Sequence, residues 1–130
     1  MKLLLDTHVF LWVIAEVSRL PPRVRDAVAS GENEVALSVA SIWECVIKYR
    51  LGKLDLPEEP ALYLPRQRSR HGFESLPVAE GDVLRLAHLP SIHKDPFDRI
   101  LVAQAQERGM VLVTVDPEIS RYPVTTLDWV

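Results

Sequence analysis

The sequence predicts a three-layer α/β/α domain with a central, mostly parallel sheet of four to five strands. Three observations carry that expectation. Short, largely apolar runs, Leu3-Leu4-Leu5 and residues 111–115 with Thr114 the one polar member, have the composition of buried strands. Such runs alternate with longer helical stretches, the order that builds a parallel sheet covered on both sides. Two of them stop at an aspartate, Asp6 and Asp116. In open parallel sheets, ligand sites lie beyond those strand ends.

Taken in order, the first strand covers residues 3–5 and ends at Asp6-Thr7, ahead of a strongly apolar helix over residues 9–15. Pro21-Pro22 opens a second helical stretch, residues 23–30, closed by Gly31, with Val24, Ala27 and Val28 on one face. Residues 34–39 form the second strand. A helix starts at Ser41 and runs to about Leu51, with Gly52 just past its end. Prolines 57, 60 and 65 interrupt the region around residues 54–64, so helix is expected there only in pieces. Residues 73–78 form a short third strand at an edge, and residues 79–89 a helix ended by Pro90. Asp95-Pro96 pairs an N-cap with proline at the first helical position, and that helix runs through Arg108 to Gly109. Residues 111–115 are the clearest strand, and residues 124–127 can supply the last.

The 130 residues are 48% hydrophobic and 25% charged, which is globular composition. One domain over residues 1–130 is expected, burying roughly two-thirds of its unfolded surface. No repeat, linker or low-complexity segment interrupts it. The single cysteine, Cys45, has no internal disulfide partner, and the N-terminus lacks the order of a secretory signal, so a reducing cytoplasm is the expected compartment. The apolar stretch at residues 9–15 is too short to span a bilayer, and no membrane role is expected. A net charge of -3 argues against a protein that wraps nucleic acid in basic surface. A carboxylate cluster neutralised by bound metal, however, gives an acidic average together with a locally cationic site. The five glycines, at positions 31, 52, 72, 81 and 109, form no phosphate-binding loop.

Four acids fall on one predicted rim: Asp6 and Asp116 after strands, Glu44 in the first helical turn after the second strand, and Asp98 at a helix start. Each also has a purely structural reading. Ser41-x-x-Glu44 has the form of a capping box, Asp95-x-x-Asp98 resembles one, and Asp6 and Asp116 suit turns. Two observations favour a site. Glu44 shares a helix face with Ile47 and Leu51, and Asp98 shares one with Leu101, Val102 and Ala105, so both acids point along the buried side. Carboxylates gathered in a partly buried cleft repel one another unless protons or a cation compensate. Hard oxygen ligands without a thiolate or imidazole cluster favour Mg²⁺ or Mn²⁺. His71, His88 and His93 show no metal-ligand spacing, and Cys45 reads as packing.

The segments Leu3-Leu4-Leu5-Asp6-Thr7-His8, Ser41-Ile42-Trp43-Glu44, His93-Lys94-Asp95-Pro96-Phe97-Asp98-Arg99 and Val113-Thr114-Val115-Asp116 together resemble a PIN domain, and more closely a VapC-type toxin ribonuclease. The resemblance implies hydrolysis of RNA phosphodiester bonds at a four-carboxylate site, with Asp6, Glu44, Asp98 and Asp116 as first to fourth acid. Asp6 and Asp98 are then the foremost ligands of Mg²⁺ or Mn²⁺, and Thr114, Thr7 and His8 support them. Many PIN domains carry asparagine or serine two residues after the first aspartate. Here His8 stands there, either orienting a phosphate or water or making local helix-start hydrogen bonds. Asp95 competes with Asp98; the N-cap pattern assigns Asp98 to the metal and leaves open whether Asp95 adds to it.

Arg99 and Lys48 are the substrate-binding candidates, followed by Arg50, Lys53 and the run Arg66, Arg68, Arg70 and His71; solvated surface is the alternative for all of them. The resemblance further implies single-stranded regions of structured RNA as substrate, homodimerisation, and a VapB-like antitoxin covering the acidic cleft. Trp12, Trp43, Tyr49, Tyr122 and Trp129 mark either an interface or the core, with burial expected for all but Trp129. A catalytically inactive PIN-like RNA-binding or assembly module is the non-enzyme alternative. Response-regulator-like phosphotransfer fails on residues, because Thr7-His8 and not a second aspartate follows Asp6.

Overall fold

The centre of the sheet is the run Leu3-Leu4-Leu5, each residue 0% exposed. A computed structural model describes residues 1–127; Trp129 lies outside the described residues. The run belongs to β1 (Lys2–Leu5), which pairs in parallel with β2 (Glu34–Ser38) on one side and β4 (Val111–Val113) on the other. β3 (Glu74–Leu76) adds to β2 as an edge, and β5 (Thr126–Leu127) adds to β4, giving the order β3-β2-β1-β4-β5 with every pairing parallel. This is the expected α/β/α arrangement, with five strands where four to five were expected.

Side-chain alternation along β1 divides the interior in two. Leu3 and Leu5 enter a cluster with Val9 and Phe10 of α1 (Thr7–Ala15), Val24 of α2 (Pro22–Ala29), Cys45 of α3 (Val39–Arg50) and Leu64 of α4 (Pro60–Arg70). Leu4 enters the other, with residues 100–103 and Ala105 of α6 (Pro96–Arg108). A short helix, α5 (Glu80–Arg85), packs beside α6. α6 follows its predicted boundaries: Asp95 caps it, Pro96 opens it, and Gly109 ends it at φ 61°, a backbone conformation that glycine adopts without a Cβ penalty.

Several boundaries differ from expectation for identifiable reasons. β2 stops at Ser38, whose hydroxyl accepts from the Ala40 amide at 3.0 Å, so α3 begins at Val39 and not at Ser41. Ser41 and Glu44 therefore form no capping box. Both sit inside the helix on its buried side, and Glu44 is in the second turn, not the first. α4 runs continuously from Pro60 to Arg70 despite Pro65, whose missing N–H forfeits one intrahelical bond; Leu64, fully buried beside it, anchors the helix against the core. β3 is shorter than residues 73–78, and α5 gives way after Arg85 to a 3₁₀ turn, Leu86–His88. β4 stops at Val113 because the Val115 amide is drawn to the Asp6 carboxylate instead of a neighbouring strand.

Candidate active site

The chain leaves β1 toward β2 on one side and later returns to β4 on the other, so a cleft opens between the ends of β1 and β4. Asp6 sits in that cleft, 3% exposed. Its amide donates to the Val113 carbonyl at 2.9 Å. One carboxylate oxygen, Oδ1, accepts from the Val9 amide at 2.8 Å and so caps α1; the other, Oδ2, accepts from the Val115 amide at 3.1 Å. Burial raises the proton affinity of Asp6 above the ordinary carboxylate range, although the Thr114 hydroxyl and these two amides oppose that rise. Thr114, itself buried, also accepts the Asp116 amide at 3.0 Å, and so joins the first acid to the fourth.

Glu44 approaches from α3. Its Oε1 accepts from the Thr7 hydroxyl at 2.6 Å, and Oε2 lies 2.8 Å from the Lys48 ammonium one turn on. Thr7 Oγ1 is also 3.0 Å from Ser41 Oγ, so α1 and α3 are tied by hydroxyls at the cleft wall. Asp98 comes from the first turn of α6 with its side chain 18% exposed. Burial, reinforced by Asp95, Glu44 and Asp6, lifts its carboxyl to about 7, while His93 works in the other direction. The four expected acids therefore share one cleft, and Asp98 bears the strain of their proximity. Asp95 caps α6 by accepting from the Phe97 amide at 2.8 Å.

His93 is the residue that sequence reasoning missed. Its Nε2 lies 2.7 Å from Asp116 Oδ2 and 3.2 Å from Asp98 Oδ2. His93, Asp98 and Asp116 offer ligand atoms within 4.8 Å of one another. The three are 5 and 18 positions apart in sequence, so no local spacing rule finds them; the segment from His93 to Arg99 did carry the signal as a whole. Burial lowers the proton affinity of His93, but Asp116, Asp98 and Glu118 raise it further, leaving it above the ordinary imidazole value.

The other expected residues distribute unevenly. His8 is exposed, edge-on to Trp12 at 6.4 Å, and lends Asp6 positive potential through space. Arg99 directs its guanidinium to the Pro90 carbonyl at 2.9 Å, the Tyr122 hydroxyl at 3.2 Å and the Leu86 carbonyl at 3.4 Å, so its donors clamp the loop before α6. Arg68, Arg70 and His71 close α4 and lead into the start of β3, the opposite rim from the acids. Beside the acids, a groove of about 410 Å³ runs between α3 and the start of α6, bordered by Glu44, Lys48, Lys53, Lys94, Asp95 and Phe97. Trp43, expected to be buried, is 61% exposed and packs edge-on against Phe97 at 5.1 Å. Tyr122 is buried, as expected. Cys45 faces the core, and burial pushes its thiol up to about 12. Among the described residues no helix is long and apolar enough to cross a membrane.

Comparison with known proteins bears on the family and the fold. A family model described as PIN domain matches residues 3–124. Over 54 residues, 42% of this chain, the sequence is 46% identical to Ribonuclease VapC16 of Mycobacterium tuberculosis (strain ATCC 25618 / H37Rv); the match spans 38% of that relative's length. Among solved structures, VapBC2 from Rickettsia felis bound to a promoter DNA fragment superposes with a TM-score of 0.75 at 19% identity, covering 100% of both chains. DNA-bound VapBC from Salmonella typhimurium gives 0.74 at 22% identity, covering 100% of this chain and 99% of that one. At those identities the two structures speak to the fold alone.

Proposed function

The chain belongs to the PIN domain family, and from that membership we propose that it is a divalent-metal-dependent endoribonuclease, the toxin of a VapBC-like toxin–antitoxin pair. The observation that carries the reading is Asp98. A carboxyl held to about 7 by burial and by three neighbouring acids is a site short of positive charge, despite Lys48 on Glu44 and His93 beside it. Hard carboxylate oxygens, with the only thiol turned to the core, suit Mg²⁺ or Mn²⁺.

In this proposal Asp6 and Asp98 would hold the ion directly, Glu44 and Asp116 would complete the acidic set, and Thr7 and Thr114 fix the acids' orientation. A divalent ion there would supply Lewis-acid stabilisation of charge building on the scissile phosphate and would lower the pKa of a bound water toward neutrality. The chain's own contribution is geometry. The Val9 and Val115 amides fix both oxygens of Asp6, and the Thr7 hydroxyl fixes Glu44. Single-stranded RNA lies along the groove beside the acids, its phosphates near Lys48, Lys53 and Lys94 and its bases against Trp43 and Phe97. Arg99 leaves the contact set, since its donors serve the loop. His8, exposed at the start of α1, faces solvent where an approaching strand can meet it.

We place the activity in the cytoplasm, on one PIN-like domain spanning residues 1–130, as a homodimer inhibited by a VapB-like antitoxin seated over the acidic cleft. The likeness to VapBC complexes supports that partner class. The test is cleavage of a labelled, structured RNA with Mn²⁺, with chelator, and by Asp6→Asn. Cleavage is expected only from the unaltered protein with metal. Equal cleavage in all three arms would refute the proposal.

A further inference from the structure

The trio His93, Asp98 and Asp116 has the spacing of a metal site with one imidazole ligand. The second ring nitrogen argues otherwise. The Asp95 amide donates to His93 Nδ1 at 3.0 Å, which requires a lone pair on Nδ1 and places the neutral ring's proton on Nε2. In that tautomer Nε2 donates to Asp116 Oδ2 at 2.7 Å, with Asp98 Oδ2 at 3.2 Å, and has no lone pair to offer a cation. Ligation through Nε2 would need the proton moved to Nδ1, directly against the Asp95 N–H.

The ring is not free to adjust cheaply. The His93 amide donates to the hydroxyl of Tyr122 at 2.8 Å, and Tyr122 is 3% exposed. Arg99 reaches the same hydroxyl and the Pro90 carbonyl, pinning the loop ahead of His93, while Asp95 caps α6 just behind it. Asp116 is thereby held from three directions: Oδ2 by the imidazole, Oδ1 by the Glu118 amide at 2.9 Å, and its own amide by Thr114.

We propose that His93 is a positioning residue that holds Asp116 by a hydrogen bond donated from Nε2, with Asp98 in contact beside it, and that it is not a metal ligand. The metal part rests on the divalent-ion reading of the cleft; the donor part stands on the hydrogen bonds themselves.

Two measurements test it. Two-bond ¹H–¹⁵N spectra of the metal-free protein at about pH 9, where an ordinary imidazole is neutral, should show the His93 proton on Nε2, and added Mg²⁺ should leave it there. A proton on Nδ1, or loss of the Nε2 proton with Mg²⁺, overturns the proposal. In melts against Mn²⁺ concentration, His93→Ala should weaken binding about 10–100-fold, and His93→Gln, which keeps an N–H donor, should return to within about threefold of the unaltered protein. Gln as weak as Ala, or Ala without effect, overturns it. An unaltered protein that does not respond to Mn²⁺ refutes the metal reading instead, and the proton position still decides the donor assignment.

Discussion

Replacing Asp98 with asparagine removes the group on which the crowding of the cleft falls. Its carboxyl titrates at about 7 in the fold against 3.8 in a free chain, through burial and the pressure of Asp95, Glu44 and Asp6. At 1.36 kcal/mol per pH unit, ionising it at pH 8 costs the metal-free fold at most about 4 kcal/mol. Solvent screening of a side chain that is 18% exposed lowers this to about 1–2 kcal/mol. The folded state holds the proton more tightly than the unfolded chain, so this cost is absent below about pH 4, grows between about 4 and 7, and is constant above. Asp98→Asn should therefore match the unaltered protein at pH 4 and melt about 4–8 °C higher at pH 8 without metal. With Mn²⁺ at about 100 times its dissociation constant the unaltered protein gains about 2.7 kcal/mol, and the variant should lose most of that gain. Differential scanning calorimetry at both pH values, with chelator and with Mn²⁺, reads all four quantities. A variant less stable than the parent at pH 8 in chelator, or equally stabilised by Mn²⁺, would refute the crowding argument.

Two other predictions concern groups away from the cleft. Asp82, whose side chain is 1% exposed, accepts from Arg108 and from the Ala79 amide at 2.8 Å; burial pushes its carboxyl up, but Arg108 and that amide together hold it below the ordinary value. The stability it contributes is present above pH 3.8 and lost as pH falls through its lower folded value, so Asp82→Asn should cost about 1–3 kcal/mol at pH 7 in urea unfolding and flatten the acid limb of stability against pH. The Cys45 thiol, 1% exposed and pushed up to about 12, should resist a thiol-specific reagent at pH 8 until denaturant unfolds the chain; stoichiometric labelling of the native protein would contradict its placement in the core.

The sheet was legible in the sequence because strands buried on both faces cannot afford polar residues, and the runs around Leu4 and Leu112 announce themselves. The acids at strand ends were legible for the same reason, since each interrupts an apolar run. Helix starts were less so: Ser38 and Ser41 are both good caps, and tertiary packing of Ala40 and Glu44 chose the earlier one. Pro65 lowered the expectation of a continuous helix because the anchoring burial of Leu64 is a tertiary effect. His93 was passed over because its partners Asp98 and Asp116 lie 5 and 23 residues away, and the fold alone brings them to one ring nitrogen. The exposed position of Trp43 has a similar origin, since aromatic composition does not tell which face a helix presents.

The two oxygens of Asp6 clasp amides from opposite ends of the chain, Val9 three residues on and Val115 another 106 beyond it. A ribosome releases those partners far apart in time. During synthesis the first aspartate therefore waits without its second amide until nearly the whole polypeptide has emerged and β4 has docked against β1. Truncated products ending before that strand carry three of the acids but lack the clasp that orients the first, so incomplete translation leaves fragments without an assembled cleft.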